Sequence, residues 1–316
     1  RPRSGHRFRV ISSAAPQAEY IEIMIRRIAS SALLLIALAP ALCLSQDKYF
    51  DAGGVRLRYV ERGAGEPVVL VHGFTNTAEI WANSGILQDL SRNYRVIAFD
   101  ARGHGKSDKP HEPARYGREM PLDIVRLLDH LEIPRAHIVG YSLGGHITSQ
   151  LLTLHPERFL SATLIAGSGR FTWTPADAEE ADADAREREK DCINPSLMFR
   201  LAPPNAPRPS ADSLKVLSKN CLADTTQDRF AYAALTRARA DQLIAPAEVA
   251  AVTVPTLGIV GTDDPMKAGM DALVRIRPSV KLVVIEGATH AGPRGILARR
   301  ELIAALRSFL AEHRMR

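Results

Sequence analysis

Cysteine is scarce in this chain, with Cys43, Cys192 and Cys221 the only three in 316 residues. No group of His, Cys, Asp and Glu stands at ligand spacing, which argues against a metal centre. No glycine-rich dinucleotide or phosphate loop appears, so no cofactor is expected. No internal repeat is visible. Charge of one sign is missing as well. The formal net charge is +6, but six arginines and two glutamates fall within residues 1–45, which leaves +2 for the rest. A body so close to neutral has no electrostatic footprint for nucleic acid.

Long apolar runs are equally rare, and the one near the N-terminus has the form of an export signal. Met24 is the first methionine, Arg26 and Arg27 follow, and Ile28 to Gln46 is uncharged around the apolar centre Ala32–Ala39. A basic start, a short apolar core and small residues beyond it are the marks of a signal peptide. Cleavage is expected after Ala41 or Ser45, with a mature chain starting near Gln46. Leu42 stands where a lipobox needs Gly or Ala, so Cys43 is not read as a lipid anchor. Residues 24–45 are thus expected to direct export to the periplasm or medium, with membrane contact only in transit. Residues 1–23 read as translated upstream sequence or an artefact of expression. In an oxidising compartment Cys192 and Cys221 are either a disulfide or two buried thiols.

From Gln46 onward, short apolar runs alternate with helical patterns. Val55–Val60 alternates with period two and reads as an edge-type antiparallel strand. Pro67–Val71, Tyr94–Phe99, Ala136–Val139, Ala162–Ile165, Thr256–Val260 and Leu282–Ile285 read as strands covered on both faces. Leu122–Leu131, Ile147–Leu154 and the amphipathic Gly295–Glu312 read as helices between or after them. Such alternation predicts a mostly parallel sheet with helices on both sides. It breaks once, between Ser168 and Thr253. That interval holds a charge-dense piece from Asp177 to Lys190, read as a solvated helix face, and a second helical pattern from Thr226 to Arg239. It is too long for a simple loop. It is expected to be a helical cap, residues 168–253, inserted into a core of residues 46–167 and 254–316.

Gly140-Tyr141-Ser142-Leu143-Gly144 follows a strand and precedes a helix. A serine between glycines on such a turn is a nucleophile elbow, which exposes the hydroxyl above the sheet. A serine hydroxyl is a poor nucleophile at neutral pH and needs a base to take its proton. His290, in the loop past the last strand, lies at the right edge of the sheet for that task. A carboxylate must then hold the imidazole tautomer. Asp263 and Asp264 both lie past the preceding strand.

Five segments in order carry a resemblance to the α/β-hydrolase superfamily, over Asp47 to Glu312. They are His72-Gly73-Phe74, Phe99 to Ser107, the serine elbow, Gly261-Thr262-Asp263-Asp264-Pro265 and Gly287-Ala288-Thr289-His290. The elbow and His72-Gly73-Phe74 resemble bacterial esterases and lipases of that superfamily. The resemblance implies an eight-stranded, mostly parallel sheet with helices on both faces and a helical cap insertion. Counted from Gly261, the family pattern places the acid at Asp264, which leaves Asp263 to cap the turn. Backbone N–H groups of Leu143 and Phe74 are the expected oxyanion donors. His72 is expected to order the loop that carries Phe74, and Asp100, Arg102 and His104 to stabilise a turn. Tyr141 is expected to be buried in the elbow. Tyr141, Phe171, Trp173, Met198 and Phe199 are candidates for the substrate wall, though the cap aromatics, with Phe230 and Tyr232, suit the cap's own core equally.

Serine as nucleophile departs from the aspartate of dehalogenases and epoxide hydrolases of this fold and points to acyl transfer. The expected activity is hydrolysis of a small-molecule carboxylic ester with a small or medium acyl group. The alternatives are carbon–carbon hydrolysis or cofactor-free perhydrolysis, and a non-catalytic ligand-binding protein. Leu143 and Tyr141 depart from the methionine and asparagine common around the nucleophile in the first two. Nothing in the sequence specifies an oligomeric state.

Overall fold

The computed structural model describes residues 46–203 and 205–315, so the expected export signal and the stretch before it lie outside the described residues. Eight strands form one sheet in the order β1-β2-β4-β3-β5-β6-β7-β8. Lys48–Asp51 (β1) and Arg56–Arg62 (β2) form an antiparallel hairpin, and β2 also runs antiparallel to β4. Pro67–Val71 (β3), Arg95–Phe99 (β4), Ala136–Tyr141 (β5), Phe159–Ile165 (β6), Thr256–Gly261 (β7) and Lys281–Ile285 (β8) are all parallel.

The expectation of an edge strand at Val55–Val60 is corrected here. β1 covers its outer side, and the alternation it showed is not a solvent face. Arg58 is buried and pairs with Asp47, Glu79 and Asp100. Charges so buried persist only when paired and hydrogen-bonded.

Side-chain alternation along the central strands feeds two cores. Val69 and Val71 of β3 face one cluster with Ile97, Phe99 and Ile138, and Val68 and Leu70 face the other with Val96, Ala98 and Val139. Period-two alternation sends neighbours to opposite faces, so a run apolar at every position needs helices on both sides. After β3 come two short helices, Glu79–Asn83 (α1) and Ile86–Leu90 (α2). Glu119–His130 (α3) and Leu143–Leu154 (α4) close the first cluster, in which Ile124, Leu127, Leu128, Ile147 and Leu151 are buried.

Between β6 and β7 the described residues hold helices and no strand. Pro175–Asp191 (α5), Pro195–Leu201 (α6), Ala211–Ala223 (α7), Arg229–Arg237 (α8) and Pro246–Ala251 (α9) follow one another. Their starts are chemically marked: Thr174 and Asp177 form a reciprocal capping box, and Asn194, Ser210 and Asp228 cap the next three. α5 is not solvated all round, which corrects the reading of its charge run. Ala181, Asp184, Ala185 and Arg188 recur at helical spacing and are buried. Asp184 receives Arg200 at 2.6 Å and Arg239 at 3.0 Å. Burial alone would raise its pKa, but those hydrogen bonds and charges hold it below the ordinary carboxylate value. A disulfide joins Cys192, at the end of α5, to Cys221 in α7, with the Cα atoms 5.8 Å apart.

Lys267–Ile276 (α10) follows β7, and Arg300–Glu312 (α11) completes the second cluster. Leu302, Leu306, Phe309 and Leu310 of α11 are buried, and burying each such side chain contributes roughly 1.5–3 kcal/mol. The outcome is a sheet whose parallel strands all end at one edge, where β3 lies between β4 and β5. Strand order reverses there, the place where open α/β sheets leave a crevice for ligands.

Candidate active site

Ser142 sits between β5 and α4 with φ 53° and ψ −113°, a conformation few non-glycine residues adopt. Its neighbours make the bend possible. A Cβ on Gly140 would overlap the carbonyl of Gly144, and a Cβ on Gly144 would overlap the carbonyl of Val71. The Ser142 N–H donates to the Ile165 carbonyl at 2.8 Å, which ties the elbow to β6.

Ser142 Oγ lies 3.0 Å from His290 Nε2. His290 Nδ1 lies 3.1 Å from both oxygens of Asp264. The proton of a neutral His290 therefore belongs on Nδ1, donated to the carboxylate, and the Nε2 lone pair meets the serine. The ring is fixed from a second side by Tyr141, which stacks on it at 5.5 Å and donates its hydroxyl to the His290 carbonyl at 2.8 Å. Burial raises the pKa of that phenol, so it remains a donor. His290 and Asp264 are both buried.

Asp264, not Asp263, caps the turn, since the Met266 N–H donates to it at 2.9 Å. Asp263 instead pairs with Arg294 at 3.2 Å, which corrects the capping role expected for it.

Two peptide groups beside the serine have their carbonyls held and their N–H groups free. The Gly73 carbonyl accepts from His72 Nδ1 at 2.8 Å and from the Asn76 N–H at 3.1 Å. His72 Nε2 accepts the Ala101 N–H at 3.0 Å, so the ring is neutral and burial lowers its pKa. The Ser142 carbonyl accepts from the N–H groups of Gly145 at 2.9 Å and His146 at 3.1 Å. In a trans peptide the N–H opposes the C=O. Fixing these two oxygens therefore aims the Phe74 and Leu143 N–H groups the other way. Neither N–H has an acceptor among the described residues. Asp100 anchors the neighbouring loops by accepting the N–H groups of Ala78 at 2.7 Å and Lys106 at 2.9 Å. Arg102 is held by Asp123 at 2.7 and 2.5 Å, and His104 Nδ1 bonds the Arg102 carbonyl at 3.0 Å.

Ser142, Leu143 and Phe74 line one cavity of about 320 Å³. Its remaining wall is not the one expected. Tyr141 lies on a different cavity, with His290. Phe171 packs against the cluster of Leu164, Ile244 and Val260. Trp173 lies against the Arg170 guanidinium, Phe199 against that of Arg208, and Met198 on a third cavity beside Arg188. The reason is helical phase: α6 presents Leu197 and Leu201, four apart, to the serine cavity, so Met198 and Phe199 fall on other faces. Of the other two aromatics, Phe230 is exposed, and Tyr232 packs on Phe74 at 5.3 Å.

The cavity also contains residues the sequence reading missed, among them His146, Arg170, Arg239 and Gln242. His146 had a signal, being one helical turn after Ser142 on α4. Its Nδ1 accepts the Gly169 N–H at 3.1 Å, and burial with the Arg170 charge lowers its pKa to about 4.

A family model described as alpha/beta hydrolase fold matches residues 66–293. Among curated relatives, a dihydrolipoyllysine-residue acetyltransferase component of the acetoin cleaving system from Pseudomonas putida is 39% identical over 121 residues, which are 38% of this chain and 32% of that one. The chain thus spans about a third of that relative's length. A 3-oxoadipate enol-lactonase of Acinetobacter baylyi is 32% identical over 180 residues, 56% of this chain and 64% of the relative. A thermophilic esterase from Thermogutta terrifontis superposes with a TM-score of 0.68 at 24% identity, covering 85% of this chain and 100% of that structure, a likeness of fold. With the serine, aspartate and histidine in chain order within the matched region, the chain belongs to the alpha/beta hydrolase fold family.

Proposed function

We propose that the protein hydrolyses carboxylic esters of small or medium acyl groups through an acyl-serine intermediate. The observation that carries this reading is the continuous path from Ser142 Oγ through His290 to Asp264, beside two unpaired N–H groups. In the forward step Ser142 Oγ attacks the ester carbonyl while His290 Nε2 takes its proton, and Asp264 offsets the imidazolium charge. The carbonyl oxygen becomes an oxyanion, for which the Phe74 and Leu143 N–H groups are ready donors. As the intermediate collapses, His290 returns the proton to the leaving alkoxide. Water, deprotonated by His290, then releases the acid and restores the serine. The relative named as an enol-lactonase supports this reading, since a lactone is a cyclic ester. The cavity volume suits a small or medium acyl chain.

A series of p-nitrophenyl esters of increasing acyl length tests it, with Ser142→Ala as control. The expected result is a maximum at short or medium chains that the substitution abolishes. Faster turnover of a long-chain triglyceride emulsion, or no ester turnover by folded protein, would overturn it. We also propose export, which the Cys192–Cys221 disulfide supports because such bonds persist in oxidising compartments.

A further inference from the structure

The cavity at Ser142 is rich in donors and poor in acceptors. Among the described residues, Arg170, Arg200 and Arg239 line it against one carboxylate, Glu180. Arg200 and Arg239 share buried Asp184, and Arg200 also lies 3.5 Å from Glu180. Arg170 has no such partner. No carboxylate pairs with it among the described residues, and its Nε is buried without a hydrogen bond. Its guanidinium instead lies 5.1 Å from the Trp173 ring centroid. Asp177 and Glu180 act on it only through space, while burial and the charge of Arg239 lower its pKa.

Two neutral donors share the wall. Gln242 Nε2 is buried without a partner, and His146, whose Nδ1 is engaged by Gly169, carries its proton on Nε2. Unpaired buried donors are costly, and an unpaired guanidinium more so. A ligand anion in this cavity would give the Arg170 guanidinium the partner it lacks, and guanidinium matches a carboxylate in shape. The Phe74 and Leu143 N–H groups, donors to the acyl oxygen, line this cavity together with Ser142, which puts the acyl part on this side.

We propose that Arg170, with Gln242 and His146, forms an anion subsite, and that the substrate is an ester or lactone whose acyl part carries a free carboxylate. This inference rests on the esterase reading above.

The test compares two esters matched in length, mono-p-nitrophenyl glutarate and p-nitrophenyl pentanoate, in the wild type, Arg170→Met and Arg170→Lys. The wild type is expected to favour the charged ester in kcat/KM. That preference should fall about tenfold or more in Arg170→Met, be partly kept in Arg170→Lys, and weaken with added salt. Because each preparation is read as a ratio, a partial loss of folded protein does not distort it. Binding of glutarate by calorimetry, wild type against Arg170→Met, gives a readout independent of turnover. Turnover of the neutral ester with no preference for the charged one, or a preference unchanged in Arg170→Met, would overturn the subsite and leave the esterase. Glutarate binding that depends on Arg170, with neither ester cleaved, would overturn the esterase reading and leave the subsite.

Discussion

At the scale of single residues, the site is a set of mutually fixed groups, and each has a separable role. Asp264 holds the Nδ1 proton of His290 and also caps the turn after β7, so one carboxylate sets both the tautomer and the loop. Asp263, adjacent in sequence, pairs with Arg294 on the surface. Asp264→Asn is therefore expected to lower kcat by about 10³–10⁴, since the wrong tautomer would face the serine. Asp263→Asn should stay within a few-fold of wild type by comparison. Steady-state kinetics on one ester decides it, and the reverse ranking would mean that the acid is misassigned. The serine, the histidine and the acid were legible because each stands in a local pattern tied to a strand end. The donors of the wall were not. Arg170, Arg239 and Gln242 carry no motif, and only the folding of the helical insertion brings them near Ser142.

At the scale of elements, the buried strands were readable because runs such as Val68–Val71 are apolar at every position. β1 was missed, being four residues long with a charge at each end. α6 and α7 were hidden by the prolines around them, and the charges of α5, itself read as a helix, concealed its narrow buried stripe. The disulfide staples α5 to α7 across a separation of 29 residues. Closing such a loop contributes roughly 3–4 kcal/mol by the chain-entropy estimate. Cys192→Ser with Cys221→Ser should therefore lower the unfolding midpoint, and the oxidised wild type should lose the same margin on reduction. Calorimetric scans with and without reductant measure it. An unchanged midpoint would show that the staple does not stabilise the fold.

At the scale of the whole molecule, neutral histidines that are buried or half-buried couple stability to pH. Burial lowers the pKa of His72, lowers that of His104 well below its ordinary value, and takes His146 to about 4. The unfolded chain binds protons on these groups once the pH drops below about 6.5, whereas the folded chain resists them. Their stabilisation is thus complete above that value and is lost progressively as the pH falls toward 4. Denaturant melts at pH 7.5 and 5, with those pH values chosen to bracket about 6.5, should show lower stability at the acid end. A flat profile would contradict the neutral assignment. Chemistry depends in turn on one group, and Ser142 alone is expected to be an activated nucleophile of this molecule. The most direct measurement is intact-mass and peptide analysis after a fluorophosphonate, which adds covalently to a serine activated by an adjacent histidine. One phosphonyl group per chain is expected, located on Ser142 and absent in His290→Ala. Folded protein that takes up no label, or takes it up elsewhere, would contradict it.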